Sequence, residues 1–160
     1  MRPTKDQYFI DMAKLVASRA TCIRRKVGCV LVNVRGHVIG TGYNGVATGL
    51  PHCNHYDPFH ETGFPHACEG ATCKSGTNLD SCEAIHGEQN ALLQCKDVFE
   101  IDTAYVTAKP CVSCMKLFMN TSCKRVVYLE DYPHLKTDEL AERAGIKLEK
   151  YDAYTFSQEC

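Results

Sequence analysis

The sequence predicts an α/β fold, in which helices cover the faces of a β-sheet. In the second half of the chain, segments of helical and strand character alternate, which is typical of parallel strands joined by helices. In the first half, two short β-branched segments predict a hairpin. The length of 160 residues and a hydrophobic fraction of 44% are enough for one domain with a substantial core.

The first half begins with a helix and a hairpin. Apolar residues recur at roughly helical spacing over residues 6–20, and they include Leu15. Residues 27–33 and 37–41 predict the two strands of the hairpin, with Arg35 and Gly36 in the connection. The sequence Gly-Tyr-Asn-Gly at residues 42–45 predicts a turn or loop.

The second half predicts three helices, over residues 85–96, 111–120 and 137–144. Three strands alternate with them, over residues 103–107, 125–129 and 146–150, the last at an edge of the sheet. Pro110 suits the first position of a helix, and Gly145 ends the last helix. In the first of these helices, Ile85, Leu92 and Leu93 are expected to face the core.

Residues 46–81 form a cysteine-rich insertion with little periodicity. A loop of this length is unusual in a compact domain unless it is functional or tied down. The chain has eleven cysteines, an odd number, and its first residues lack the apolar core of a signal peptide. Metal binding in a cytoplasmic protein is therefore expected, rather than a disulfide framework. We expect one domain over residues 1–160 that carries this insertion.

Charge and hydropathy argue against two kinds of partner, long nucleic acid and a membrane. The formal net charge is −1, which argues against a protein that binds long nucleic acid through many phosphate contacts. No run approaches the roughly 20 apolar residues of a membrane span. A small anionic substrate stays compatible, because it needs only a local basic pocket.

Two segments carry the chemistry. His86-Gly87-Glu88 and Pro110-Cys111-Val112-Ser113-Cys114 fit the H-x-E…P-C-x-x-C pattern of zinc deaminases that act on nucleobases. His86, Cys111 and Cys114 would supply three zinc ligands and leave a fourth position for water. Glu88 would carry a proton from water to the ring nitrogen N3 of a cytosine and then to the departing amine.

These motifs resemble the deoxycytidylate (dCMP) deaminase family over almost the whole chain. The matching segments are residues 26–28, 41–45, 52–53, 82–95 and 130–132. The resemblance implies a three-layer α/β/α sandwich with a five-stranded mixed sheet. It implies conversion of dCMP to dUMP and ammonia, which supplies dUMP for dTTP synthesis. It also implies a homo-oligomer, commonly a hexamer, that dCTP activates and dTTP inhibits, with Mg²⁺ accompanying the triphosphate.

The resemblance also suggests roles for single residues. Asn44 maps to an asparagine that contacts the sugar, although it could equally be a turn residue. Gly87, where the family usually has Ala, keeps the N–H that can bond the pyrimidine carbonyl, so Gly87→Ala is expected to be active. Tyr132 could stack on the substrate or lie in the core. Tyr43, Gly45 and Lys26 are expected at the allosteric nucleotide. The substrate phosphate has four candidates, each of which could instead be a solvated charge: Arg24, Arg25, Lys26 and Lys109.

A second, structural zinc is implied by the same resemblance. Its expected ligands are Cys22, Cys53, Cys68 and Cys82, with Cys73 or His66 as alternatives to Cys68. Such a site would tie down the cysteine-rich insertion, which cannot build a core of its own. The competing interpretation is that these cysteines are reduced thiols without a metal.

Two other functions stay open at this point. One is a different deaminase, acting on adenosine in tRNA or on free cytidine. The other is a zinc-stabilised module that senses dNTPs without catalysis. Glu88 argues against the second, because a purely structural zinc site does not need that carboxylate.

Overall fold

The computed structural model describes residues 2–53, 68–74, 77, 81–132 and 135–152. Four α-helices lie in these residues: α1 (Lys5–Ala17), α2 (Gly87–Gln94), α3 (Val112–Met119) and α4 (Leu135–Ala144). The strands are β1 (Gly28–Val32), β2 (Val38–Tyr43), β3 (Gly45–Val46), β4 (Ala84–Ile85), β5 (Thr103–Ala108), β6 (Arg125–Glu130) and β7 (Lys147–Lys150). Short 3₁₀ turns occur at Glu69–Thr72 and Val98–Glu100.

Five strands form one mixed sheet in the order β2-β1-β5-β6-β7. Strand β1 runs antiparallel to both β2 and β5, whereas β5, β6 and β7 run parallel. The α/β prediction and the parallel pairing of the second half are therefore confirmed. A separate antiparallel pair, β3 with β4, brings Gly45 opposite Ile85, next to the start of α2.

Two apolar cores separate the three layers. Helix α1 packs on one face of the sheet, where Phe9 and Ile10 meet Val30 and Val127. Helices α2, α3 and α4 cover the opposite face through a second cluster that includes Leu31, Ala91, Val106, Met115, Phe118 and Ala141. Neighbouring residues of β1, such as Val30 and Leu31, point to opposite faces because side chains alternate along a strand.

An ionic cluster fixes α1 against the sheet. The Asp6 carboxylate accepts hydrogen bonds from two Arg125 nitrogens, over 2.8 and 2.7 Å, and from the Tyr105 hydroxyl over 2.7 Å. Glu149 contacts the same guanidinium. Burial opposes ionisation of Asp6, but the hydrogen bonds from Arg125 and Tyr105 outweigh it and hold the pKa of that carboxyl below its usual value.

The structure corrects several local predictions. Helix α2 begins at Gly87 and not at residue 85, because Ile85 belongs to strand β4. The 42–45 segment is not a free turn. Gly42 lies in β2 and Gly45 in β3, since both segments are paired with other strands.

Two apolar residues that were expected in the core face outward. The first helix ends at Ala17, before residue 20, and Leu15 on it is 72% exposed. On α2, Leu93 is 76% exposed because the helix buries Ala91 instead. Across the described residues, no helix combines the length and apolar character needed to cross a membrane.

Candidate active site

Three potential metal ligands meet where two helices begin. His86 is the N-cap residue of α2, and Cys111 is the N-cap residue of α3, three residues after the end of β5. Cys114 lies one turn further along α3 and is completely buried. The His86 Nδ1 atom lies 3.5 Å from the Cys111 Sγ and 3.4 Å from the Cys114 Sγ.

These separations fit a tetrahedral zinc ion. Zinc–sulfur bonds of roughly 2.3 Å and zinc–nitrogen bonds of roughly 2.0–2.1 Å place the two kinds of ligand atom about 3.6 Å apart. Among the residues that the structure describes, this is the one group of three whose ligand atoms all lie within 4.8 Å of one another. Three ligands leave a fourth position, as in catalytic zinc sites.

Of the two ligand thiols, Cys111 is the one whose surroundings favour the thiolate. A hydrogen bond from Cys114 lowers the pKa of Cys111 to about 4, and the adjacent His86 contributes to the same effect. The same hydrogen bond, together with burial, raises the pKa of Cys114. The contact with Cys111 raises the pKa of His86. Cys111 is therefore a thiolate at neutral pH, which is the form that binds zinc.

Glu88 lies beside the three ligands in the first turn of α2 and is only 4% exposed. Burial raises the pKa of the Glu88 carboxyl to about 7, although the neighbouring His86 opposes the shift. A carboxyl with this pKa can both accept and donate a proton near neutral pH, as general acid–base catalysis requires.

A pocket opens above this group. Its wall contains Val27, Asn44 and Tyr132, and three cationic side chains also line it: Arg24, Arg25 and Lys109. The Arg25 guanidinium lies 5.3 Å from the centre of the Tyr132 ring. The site thus combines a metal-binding floor with a basic rim, which suits an anionic substrate of small size.

Asn44 and Gly87 shape the same pocket. The Asn44 side chain accepts a hydrogen bond from the Val27 N–H and donates one to the Arg25 carbonyl, both over 2.7 Å. It therefore fixes the loop that carries the pocket residues Arg25 and Val27. Gly87 is buried, and a Cβ atom there would lie 3.0 Å from the Val27 carbonyl oxygen and 3.3 Å from that of Gly42.

The family model for the cytidine and deoxycytidylate deaminase zinc-binding region matches residues 3–130. The chain belongs to this family. The deoxycytidylate deaminase of Mycobacterium phage D29 is 40% identical over 132 residues, covering 79% of this chain and 95% of the phage protein. The deoxycytidylate deaminase of Schizosaccharomyces pombe is 39% identical over 154 residues, which are 94% of this chain but 45% of the yeast protein.

Solved structures share the fold of this deaminase-family chain. The dCMP deaminase of cyanophage S-TIM5, crystallised with dCMP and dUMP, superposes with a TM-score of 0.69 at 24% identity. The alignment covers 94% of this chain and 99% of the cyanophage chain. The chain spans about half the length of its two yeast relatives, 45% of one and 46% of the other.

Of the four cysteines expected at a second zinc, Cys53 and Cys68 approach each other most closely, but no three of the four bring their sulfurs within 4.8 Å of one another in the described part of this deaminase-family chain. The Cys53 and Cys68 sulfurs lie 4.0 Å apart, and both residues pack with Cys82 in a small core. Burial raises the pKa of Cys53, and the buried Cys22 adds a smaller contribution in the same direction. Cys73 donates to the Glu69 carbonyl instead, and His66 lies outside the described residues.

The residues expected at an allosteric nucleotide separate into two groups. Tyr43 and Gly45 line a second cavity together with Thr21, His52 and Asn90. Lys26 is exposed and is not among the residues that line it. No local pattern in the sequence indicates that Thr21 belongs here, because it lies more than twenty residues from the others.

Proposed function

We propose that the chain catalyses the hydrolytic deamination of dCMP to dUMP and ammonia. The observation that carries the proposal is the buried Glu88 carboxyl beside three ligand atoms at tetrahedral zinc spacing. Family membership supports the reaction type. A relative of similar length, the phage D29 protein, is named a deoxycytidylate deaminase, which supports the choice of substrate.

In this proposal His86, Cys111 and Cys114 hold a zinc ion. When bound, such an ion lowers the pKa of a water molecule to roughly 7. Glu88 accepts a proton from water and delivers it to N3 of the cytosine ring. The water oxygen bonds to C4, and Glu88 moves the remaining hydroxyl proton to the amino group as the C4–N bond breaks, so that water and dCMP become dUMP and ammonia. The pKa of about 7 suits Glu88 to both transfers.

The pocket wall would orient the nucleotide. The Gly87 N–H is available at the helix start to bond the pyrimidine carbonyl, and Asn44 and Tyr132 line the space beside it. In this role Asn44 contacts the sugar while its amide also holds the 25–27 loop. Tyr132 lines the pocket next to Arg25, and in this proposal its ring stacks on the nucleotide.

Arg25 is the best candidate for the substrate phosphate. Lys109 already has two carboxylate neighbours, Asp138 at 2.6 Å and Asp131 at 3.7 Å. Arg24 donates to two backbone carbonyls of the cysteine-rich insertion. Arg25 pairs with Glu130, whose side chain is 67% exposed. Such an exposed pair is weak and can be exchanged for a phosphate.

A substrate panel tests the proposed reaction. Ammonia release is measured with dCMP, CMP, deoxycytidine and dCTP, each with and without dTTP. We expect release from dCMP that is lost in Glu88→Ala while zinc stays bound. Release from deoxycytidine and none from dCMP would overturn the choice of substrate. Zinc binding without release from any of the four would favour a non-catalytic module.

A second, structural zinc is proposed at Cys22, Cys53, Cys68 and Cys82. Its support is the 4.0 Å separation of Cys53 and Cys68 and their shared core with Cys82. A tetrahedral site with four thiolates has sulfurs about 3.8 Å apart. Metal analysis of the purified protein should give two zinc ions per chain, and one in Cys68→Ser. One zinc per fully active wild-type chain would remove the second site.

The second cavity is proposed as the effector site for dCTP and dTTP, with Mg²⁺ accompanying the triphosphate. Its support is Thr21, whose buried hydroxyl has no hydrogen-bond partner within the described part of the chain, and which lines the cavity with Tyr43 and Gly45. Lys26 would act from outside the cavity. Homo-oligomerisation, commonly to a hexamer, and a cytoplasmic role in dTTP supply belong to the same proposal.

A further inference from the structure

The first turn of α4 holds the segment that leads into Cys111. The Thr137 hydroxyl donates a hydrogen bond to the Pro110 carbonyl over 3.2 Å. The Lys109 ammonium donates to the Asp138 carboxylate over 2.6 Å. Two consecutive residues of α4 thus contact the two residues that immediately precede this proposed zinc ligand.

Both contacts serve buried polar groups, and without Asp138 the Lys109 ammonium would keep only the more distant Asp131 carboxylate, at 3.7 Å. Pro110 and Thr137 are fully buried. The first hydrogen bond within α3 runs from the Met115 N–H to the Cys111 carbonyl, so this bond leaves the Pro110 carbonyl unused. The Lys109 side chain is only 7% exposed. Loss of a partner for a buried carbonyl or ammonium is destabilising at that point of the chain.

Packing alone does not explain a hydroxyl at position 137. Valine has nearly the same shape as threonine and would fill the same buried space without a polar atom. Further along α4, Ala141 supplies the apolar contact with the core. Glu139 pairs with Lys136 and Arg143 on the exposed side of the helix. The polar contacts of Thr137 and Asp138 are therefore directed at residues 109–110 specifically.

We propose that Thr137 and Asp138 are positioning residues that set the place of Cys111 relative to His86 and Cys114. Groups of this kind, which orient a metal ligand without touching the metal, typically change metal affinity or activity about 10- to 100-fold when they are removed. The inference about zinc retention rests on the ligand group, and its consequence for catalysis rests on the proposed function.

Zinc release separates this role from general stability. Release into a chromogenic chelator is timed well below the unfolding temperature for wild type, Thr137→Val and Thr137→Ser. We expect Thr137→Val to release zinc about 10-fold faster or more, and Thr137→Ser to stay near wild type. Val127→Ala is the control, because Val127 is buried in the core on the α1 face. It should lower the unfolding temperature without faster release.

A second pair of variants decides the matter if Thr137→Val does not fold. Asp138 and Glu139 are adjacent acids with side chains that are each 49% exposed, so Asp138→Asn and Glu139→Gln should both fold. We expect faster zinc release in Asp138→Asn than in wild type, and a wild-type release rate in Glu139→Gln. Wild-type release rates in Thr137→Val or Asp138→Asn, or equal acceleration in Val127→Ala, would overturn the proposal. A wild-type protein that holds zinc but is inactive on dCMP would instead refute the proposed function.

Discussion

Gly42→Ala should move the helix that carries Glu88. A Cβ atom at position 42 would lie 2.1 Å from the Ala91 nitrogen and 2.3 Å from the Gly87 carbonyl oxygen, both in the backbone of α2. Real Cβ contacts essentially never fall below 3.0 Å, so strand β2 and α2 must separate by at least 3.0 − 2.1, about 0.9 Å. Overpacking of this kind typically costs about 1–3 kcal/mol of stability.

Misplacing a catalytic group by about 1 Å can cost about 100-fold in rate. We therefore expect kcat/KM for dCMP to fall about 100-fold in Gly42→Ala, measured as ammonia release per folded, zinc-loaded molecule. Gly28→Ala is the matched control, because its Cβ would meet the Ala13 carbonyl oxygen at the same 2.1 Å. That clash moves α1, which carries none of the proposed site residues.

The control should lose stability but keep most of its activity per folded molecule. Gly87→Ala should also be active, because its Cβ contacts of 3.0 and 3.3 Å require movement of only a few tenths of an ångström. Near-wild-type activity in Gly42→Ala, or an equal loss in Gly28→Ala, would refute this reasoning about the β2–α2 contact. An inactive Gly87→Ala would show that position 87 has been misinterpreted.

Two further predictions concern charge. Arg25→Gln should raise the KM for dCMP about 10-fold or more and leave the KM for deoxycytidine unaffected, because one charge-assisted hydrogen bond is lost. Steady-state kinetics checks this, with Lys150→Gln on the edge strand as the control because Lys150 is exposed and outside the proposed sites. An equal effect on both substrates would contradict the assignment. Asp6→Asn should lose about 2 kcal/mol of unfolding free energy at pH 7. Because the folded state lowers the pKa of Asp6, its stabilisation is present above its unfolded pKa of about 3.9 and is lost as the pH falls through the folded pKa. Urea unfolding should show the gap between Asp6→Asn and wild type narrowing at acid pH; a gap that is constant with pH would contradict the assignment.

The features that could be predicted from the sequence are those set by residues that lie close together in the chain. The ligand pattern is local, since Cys111 and Cys114 are one helical turn apart and His86 precedes Glu88 by two residues. The alternating helices and strands of the second half follow from periodicity in the same way. Local patterns of this kind need no knowledge of tertiary contacts.

The remaining features arise from contacts between distant residues. Gly42 is a glycine because α2 approaches β2 closely, and its sequence context suggested only a turn. Asp6 and Arg125 are 119 residues apart, and Thr137 and Pro110 are 27 apart. Leu93 resembles a core residue in the sequence, but the helix is rotated so that Ala91 is buried instead. Such contacts are set by how the elements pack, which local propensity does not encode.

In the proposed mechanism, Glu88 transfers protons beside a zinc held by His86, Cys111 and Cys114. Its most direct test is ammonia release from dCMP by zinc-loaded wild type and Glu88→Gln, with zinc content measured on the same samples. We predict that wild type releases ammonia and that Glu88→Gln loses about 10²- to 10⁴-fold in kcat with its zinc retained. Activity in Glu88→Gln close to that of wild type, or no release by the zinc-loaded wild type, would contradict the claim.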